Sequence, residues 1–254
     1  MMFRMELDPM HQFQIQKLIS LPSLAGHDIS FTTASLAMLL AVGLVVFFLV
    51  LAIARPQVVP TRIQSVGEIG YEFIANMIRD TIGEEGFRFF PFVFTLFLLI
   101  FGANMLGMIP YFITPTAQIV VTAALALLVF FTVIIFGIMK HGLKFLKLFA
   151  PSGIPPVLLV VLVPLEIISF FVRPLTLSLR LFGNILAGHI VLKLFVGFTT
   201  ALLGTASILS VLAIGPFALA LAFTALEFLV AFLQAYIFAI LTCIYLNDAF
   251  HPSH

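Results

Sequence analysis

The stretch "EIISFFVRPLTLSLRLFGN", Glu166 to Asn184, places one glutamate and two arginines inside a run that is otherwise nearly hydrocarbon. Within it Glu166, Ser169, Arg173, Thr176, Arg180 and Asn184 are separated by three, four, three, four and four positions. At about 100° per residue, those six side chains fall within a stripe of roughly 80° on one helix. The phase holds across Pro174, which argues for one long helix with at most a kink, since a chain folding back on itself would scramble it. A guanidinium at bilayer depth costs about 2.5 to 3.5 kcal/mol on insertion scales. A helix carrying such a stripe in lipid must turn it toward protein or water. Glu166 and Arg180 do not neutralise each other, being about 21 Å apart along a straight helix.

The rest of the chain sets that helix in a membrane. Of 254 residues, 62% are hydrophobic and only 9% are charged, and the mean hydropathy is +1.23; soluble domains carry about 25% charge. The fold class is therefore an all-α polytopic membrane protein. A net charge of +1 gives no basic excess for nucleic acid, and no G-x-x-x-x-G-K-[ST] loop is present to bind nucleotide directly. The single cysteine, Cys243, excludes an internal disulfide and reads as packing. No metal cluster and no cofactor is expected. The first thirty residues have no continuous apolar core before Ser30 and do not resemble a cleaved signal peptide.

About twenty apolar residues cross a hydrocarbon core of about 30 Å. Read this way, the chain is a single membrane domain, 1–254: an amino-terminal segment 1–32, a first span 33–54, a connection 55–88, two further spans within 89–139, and two long apolar blocks, 155–198 and 201–246. Each block is on the order of 45 residues, about 70 Å as continuous helix. It either folds back as two spans or inclines as one, and hydropathy does not choose. Arg55, Arg62, Arg79 and Arg88 fall between the first two spans, Lys140, Lys144 and Lys147 follow the third, and the connection from Tyr111 to Gln118 is uncharged. The positive-inside rule then puts the first and third connections in the cytoplasm, or in a mitochondrial matrix, and the amino terminus outside. Val66, Ile69, Phe73, Met77 and Ile78 recur at helical spacing in the first connection, while Glu68, Glu72, Arg79 and Asp80 take other faces. That pattern predicts an interfacial amphipathic helix; a loop helix packed on a partner is the other reading.

His189 lies on about the opposite side of its helix from Arg180, and Lys193, one turn on, reads as an interfacial anchor. In the last block Glu227, Gln234 and Tyr245 share one face. A carboxylate in lipid wants a partner, and His189 is the candidate; alone, His189 would read as a packing residue, but acid and imidazole together form a proton relay. Asn104 satisfies neighbouring polar groups or borders an aqueous path. His251 and His254 read as solvated.

Three motifs, "NMLGMIPY" at Asn104 to Tyr111, "PLTLSLRLFGNILAGH" at Pro174 to His189 and "LEFLVAFLQAYIFAILTCIYL" at Leu226 to Leu246, make the chain resemble subunit a of the F-type ATP synthase. The resemblance implies about five membrane helices plus the interfacial one, with the last two long, steeply tilted and paired as a hairpin facing a ring of c subunits. It implies a stator that translocates protons without being catalytic itself, with peripheral-stalk b-type subunits and the lipid bilayer as further partners. Arg180 takes the position of the family's essential arginine, and Glu166, Asn184, His189, Glu227 and Gln234 take positions implicated in ion translocation. Ser169, Arg173, Thr176, Asn104 and Tyr245 extend a polar path. Many bacterial members carry an acid where His189 stands and a histidine where Glu227 stands. The exchange seen here, with "DPMHQFQI" at Asp8 to Ile15, is similar to alphaproteobacterial and mitochondrial members, which implies a bacterial inner membrane or, alternatively, a mitochondrial one. Glu166, His189, Glu227 and Gln234 are expected to line an outer access route that Arg180 separates from an inner one. A self-contained proton transporter is the competing class, although it usually shows repeated halves and no internal repeat is visible.

Overall fold

The computed structural model describes residues 17–19, 30–54, 56–109, 114–149, 156–205 and 208–251. Segment 8–15, Arg55, Pro110, Tyr111, the side chains of Lys144 and Lys147, and His254 lie outside the described residues. Among the described residues, six α-helices make up most of the chain: α1 Thr33–Ile53, α2 Arg62–Thr81, α3 Phe90–Gly107, α4 Ile119–His141, α5 Pro156–Leu203 and α6 Ile214–Phe250. Among the described residues, five helices are long and apolar enough to cross a membrane. They are helices because lipid offers no partner for a backbone N–H or C=O, so each span must pair its own. One pairing departs from the all-α expectation: β1, Lys17–Ile19, runs antiparallel to β2, Phe31–Thr32, just before α1. Strands this short carry no alternation that a sequence reading can detect.

The long blocks resolve as single helices. α5 has 48 residues, with Pro164 and Pro174 inside it, and α6 has 37. At about 1.5 Å per residue, α5 is roughly twice as long as a hydrocarbon core is thick. Each proline removes one backbone donor without ending the helix.

Two compact units divide the chain. The first comprises Met1–Leu44, Ile100–Gln118 and Leu181–Gln234; the second comprises Val45–Leu99, Ile119–Arg180 and Ala235–His254. Within the second, Thr122, Leu125, Ala126, Val129, Val133 and Gly137 form the buried stripe of α4 at helical spacing. Its end is marked by Lys140, His141 and Gly142, the last at φ 57°. Arg88 lies over the rings of Phe136 and Phe250, at 4.5 and 5.2 Å from their centroids, Lys140 bonds Glu85 at 3.0 Å, and His141 Nε2 lies 3.1 Å from the Phe250 carbonyl. These contacts tie the end of α6 to the basic end of α4.

Thr61 caps α2, its hydroxyl accepting from Gln64 N at 3.4 Å, and Gly83, at φ 91°, follows the helix end. The apolar face read from the sequence is divided. Met77 and Ile78 are buried and Phe73 meets the rings of Phe97 and Tyr236, whereas Val66 and Ile69 are 57% and 67% exposed. The second half of the helix is thus used in the chain's own packing, and the first half keeps the outward apolar face of an interfacial helix.

Gly137 faces the buried ring of Phe145 so closely that a Cβ would overlap it. Gly137→Ala should therefore destabilise the protein by about 1 to 3 kcal/mol through forced repacking, read as a lower melting temperature of the purified protein; an unchanged midpoint would mean the ring is not seated there.

Candidate functional site

In the first unit, residues from α3, the turn after it, α5 and α6 converge. His189 on α5 places Nδ1 3.4 Å from Oε1 of Glu227 on α6, both side chains being mostly buried. That is ion-pair distance when the imidazole is protonated and long for a hydrogen bond. The carboxylate lies against Gly188, where a Cβ would stand 2.9 Å from Oε1. One turn back along α5, Asn184 Nδ2 donates to Gln234 Oε1 at 2.9 Å. Asn104, 1% exposed, donates to the Ala231 carbonyl at 3.3 Å and accepts from the Thr116 hydroxyl at 2.7 Å. Two buried polar atoms here, Glu227 Oε1 and Gln234 Nε2, have no hydrogen-bond partner among the described residues.

The second unit holds a different group. Arg173 donates to Asp248 Oδ2 at 2.6 Å, with its guanidinium over the ring of Tyr245 at 5.0 Å and that of Phe170 at 5.7 Å. Thr122 and Ser178 share a buried hydroxyl contact of 3.2 Å. Thr176 bonds back to the Arg173 carbonyl at 2.9 Å. Arg180 is exposed, and among the described residues it has neither an ion pair nor a hydrogen bond. Ser169 is exposed and Glu166 partly so, both without such partners among the described residues.

The structure brings together His189 with Glu227 and Asn184 with Gln234. It does not bring Tyr245 to them: that ring belongs with Arg173. Nor does Glu166 join the cluster, since it belongs to the second unit and His189 to the first. α5 runs unbroken from one to the other, with Arg180 between them in sequence. Helical periodicity defines the angular position of the stripe but not depth along the helix.

Several partners, Thr122 among them, were not read from the sequence. Thr114 and Thr116 stand in the uncharged connection, and their signal is two hydroxyls flanking Pro115. Asp248 is one of only three acids beyond Glu85, which in so apolar a chain is itself a signal. Ser178 sits off the polar stripe and had none. Among the described residues, no group of three or more His, Cys, Asp or Glu side chains could hold a metal ion.

These features define a multi-pass helical membrane protein whose two longest helices each carry ionisable side chains inside otherwise apolar runs. Residues 35–247 match the model of the ATP synthase A chain family. The chain is 53% identical over 249 residues to the ATP synthase subunit a of Mesorhizobium japonicum, covering 98% of both chains. It is 58% identical over 245 residues to that of Hyphomonas neptunium, covering 96% of each, and 56% identical over 252 residues to that of a Chelativorans species, covering 98% of this chain and all of the relative. The chain belongs to the ATP synthase A chain family. It is a membrane subunit of an ATP synthase, in the service of ATP synthesis and proton transport.

Arg173 and Asp248 are each about one-quarter exposed, so their hydrogen-bonded pair should be worth about 1.5 to 3 kcal/mol. A double-mutant cycle on Arg173→Gln and Asp248→Asn, read by thermal unfolding, should return that coupling; additive single effects would show the pair to be independent.

Proposed function

We propose that this subunit is the proton-translocating stator of the ATP synthase, holding Arg180 against a rotating ring of c subunits. The observation that carries the proposal is an exposed guanidinium on a membrane helix with no neutralising group among the described residues of its own chain. Such a charge is stable in lipid only if something outside the chain satisfies it. A carboxylate on the ring is a partner of the right chemistry. Carried through lipid, that carboxylate must be protonated; beside Arg180 its ionised form is favoured and the proton leaves. Arginine suits the task because it stays charged when desolvated, whereas a buried lysine can lose its proton.

Two offset access routes complete the mechanism. His189, Glu227, Asn184 and Gln234 line the outer route, and the two buried polar atoms lacking protein partners, Glu227 Oε1 and Gln234 Nε2, support hydration along it. Arg173, Tyr245 and Asp248 border the inner route, joined by Glu166 in place of its expected outer position; Ser169 and Thr176 extend the same stripe. Arg180 keeps the routes apart, so the ring turns almost fully before its carboxylate discharges. The membrane potential supplies about 2.3 kcal/mol per charge per 100 mV, with the pH gradient adding to it. The basic connections lie on the cytoplasmic face of a bacterial inner membrane, with the amino terminus outside. Peripheral-stalk b-type subunits hold the stator against the ring's torque. Catalysis of ATP formation lies on other subunits.

Arg180→Lys should abolish proton-driven ATP synthesis in membrane vesicles while the complex still assembles; a variant with normal synthesis would contradict the proposal. His189→Ala and Glu227→Ala should each slow ATP-driven proton pumping by about tenfold or more, and wild-type rates in both would remove the outer route.

A further inference from the structure

The His189 ring is held from two sides. Nδ1 faces Glu227 at 3.4 Å, and Nε2 lies 3.0 Å from the hydroxyl of Thr114. Thr114 is only 2% exposed. It stands at the start of a 3-10 turn, Pro115–Ala117, where its carbonyl accepts from Ala117 N at 3.1 Å. That turn is anchored by the Thr116 hydroxyl on Asn104, which in turn bonds the Ala231 carbonyl. The Thr114 side chain fits because position 107 is glycine: a Cβ there would overlap its Oγ1, Cγ2 and Cβ. Gly107 therefore makes the space in which the hydroxyl reaches the ring.

A hydroxyl both donates and accepts. With neutral His189 carrying its proton on Nδ1, toward Glu227, the Thr114 O–H donates to Nε2. With imidazolium, Nε2–H donates and the same oxygen accepts. The contact survives both protonation states with no side chain moving, whereas an amide or ammonium would have to flip or withdraw. We propose that Thr114, seated by Gly107, is the positioning residue that keeps His189 aimed at Glu227 through each protonation cycle. The inference rests on the reading of His189 and Glu227 as proton carriers. Two charged groups act on the ring, Glu227 from α6 and Lys193 from α5 itself; α3 and the 3-10 turn contribute no charged residue.

The test uses the assembled ATP synthase in membrane vesicles, with ATP-driven proton pumping followed across pH. Thr114→Val keeps the shape and removes the hydroxyl. It should cut pumping by about tenfold, the worth of one buried hydrogen bond, and move the pH of half-maximal rate by about one unit. Thr114→Ser should rescue both to within about twofold of wild type. Gly107→Ala should reproduce the valine defect. Thr114→Val pumping at the wild-type rate with an unmoved pH profile would overturn the inference, as would serine failing as badly as valine. If Thr114→Val does not assemble, Thr114→Ala is read by the same assay with the same two outcomes. Wild-type pumping in His189→Ala would instead sink the proton-carrier reading beneath it, and an inactive His189→Ala beside an unimpaired Thr114→Val would sink this inference alone.

Discussion

A fixed positive charge in hydrocarbon is the constraint on which the rest of this structure depends. An arginine keeps its charge when desolvated, and among the described residues nothing in its own chain neutralises Arg180. Several other polar groups in the chain behave differently: Arg173 has Asp248, His189 has Glu227 and Thr114, Asn184 has Gln234, and Asn104 has both Thr116 and a backbone carbonyl. The chain satisfies these groups and leaves Arg180 exposed, and on the proposed function that charge is kept for something outside the chain. The proposed partner is a rotor carboxylate, because a titratable acid gains a reason to release its proton only while it faces that charge.

Buried polar groups also differ in how fully the chain satisfies them. Arg173 and Asp248 form a short pair among aromatic rings, the geometry of a contact that holds two helices in register. Glu227 instead keeps a buried oxygen without a hydrogen-bond partner among the described residues, 3.4 Å from an imidazole that can gain or lose a proton. An under-satisfied carboxylate costs stability, and such costs persist where a group must change state to work. Gly188 and Gly107 make room for this arrangement, one for the carboxylate and the other for the threonine that holds the ring.

Much of this was legible in the sequence because helical periodicity is strong when nearly everything around it is apolar. The six-residue stripe on α5 forecast one long helix, and the pairing of His189 with Glu227 followed from the cost of a lone acid in lipid. What stayed hidden involves separate elements meeting. Thr114 reaches His189 from a connection with no periodicity to read, and Asp248 reaches Arg173 across 75 residues of sequence. Periodicity gives the angle of a residue on its own helix, not its depth or the neighbour opposite. That is why periodicity shows one apolar face along α2, whereas in the structure Met77 and Ile78 are packed and Val66 and Ile69 are exposed.

Proximity of position 180 to the rotor tests the central claim most directly. With Arg180→Cys in this chain and single cysteines placed around the proton-carrying carboxylate of the ring subunit, oxidation in intact membranes reports which surfaces meet. If Arg180 faces the ring, disulfides form between the two subunits at positions flanking that carboxylate. Cross-links confined to this chain, or none at any ring position in a fully assembled complex, would contradict it.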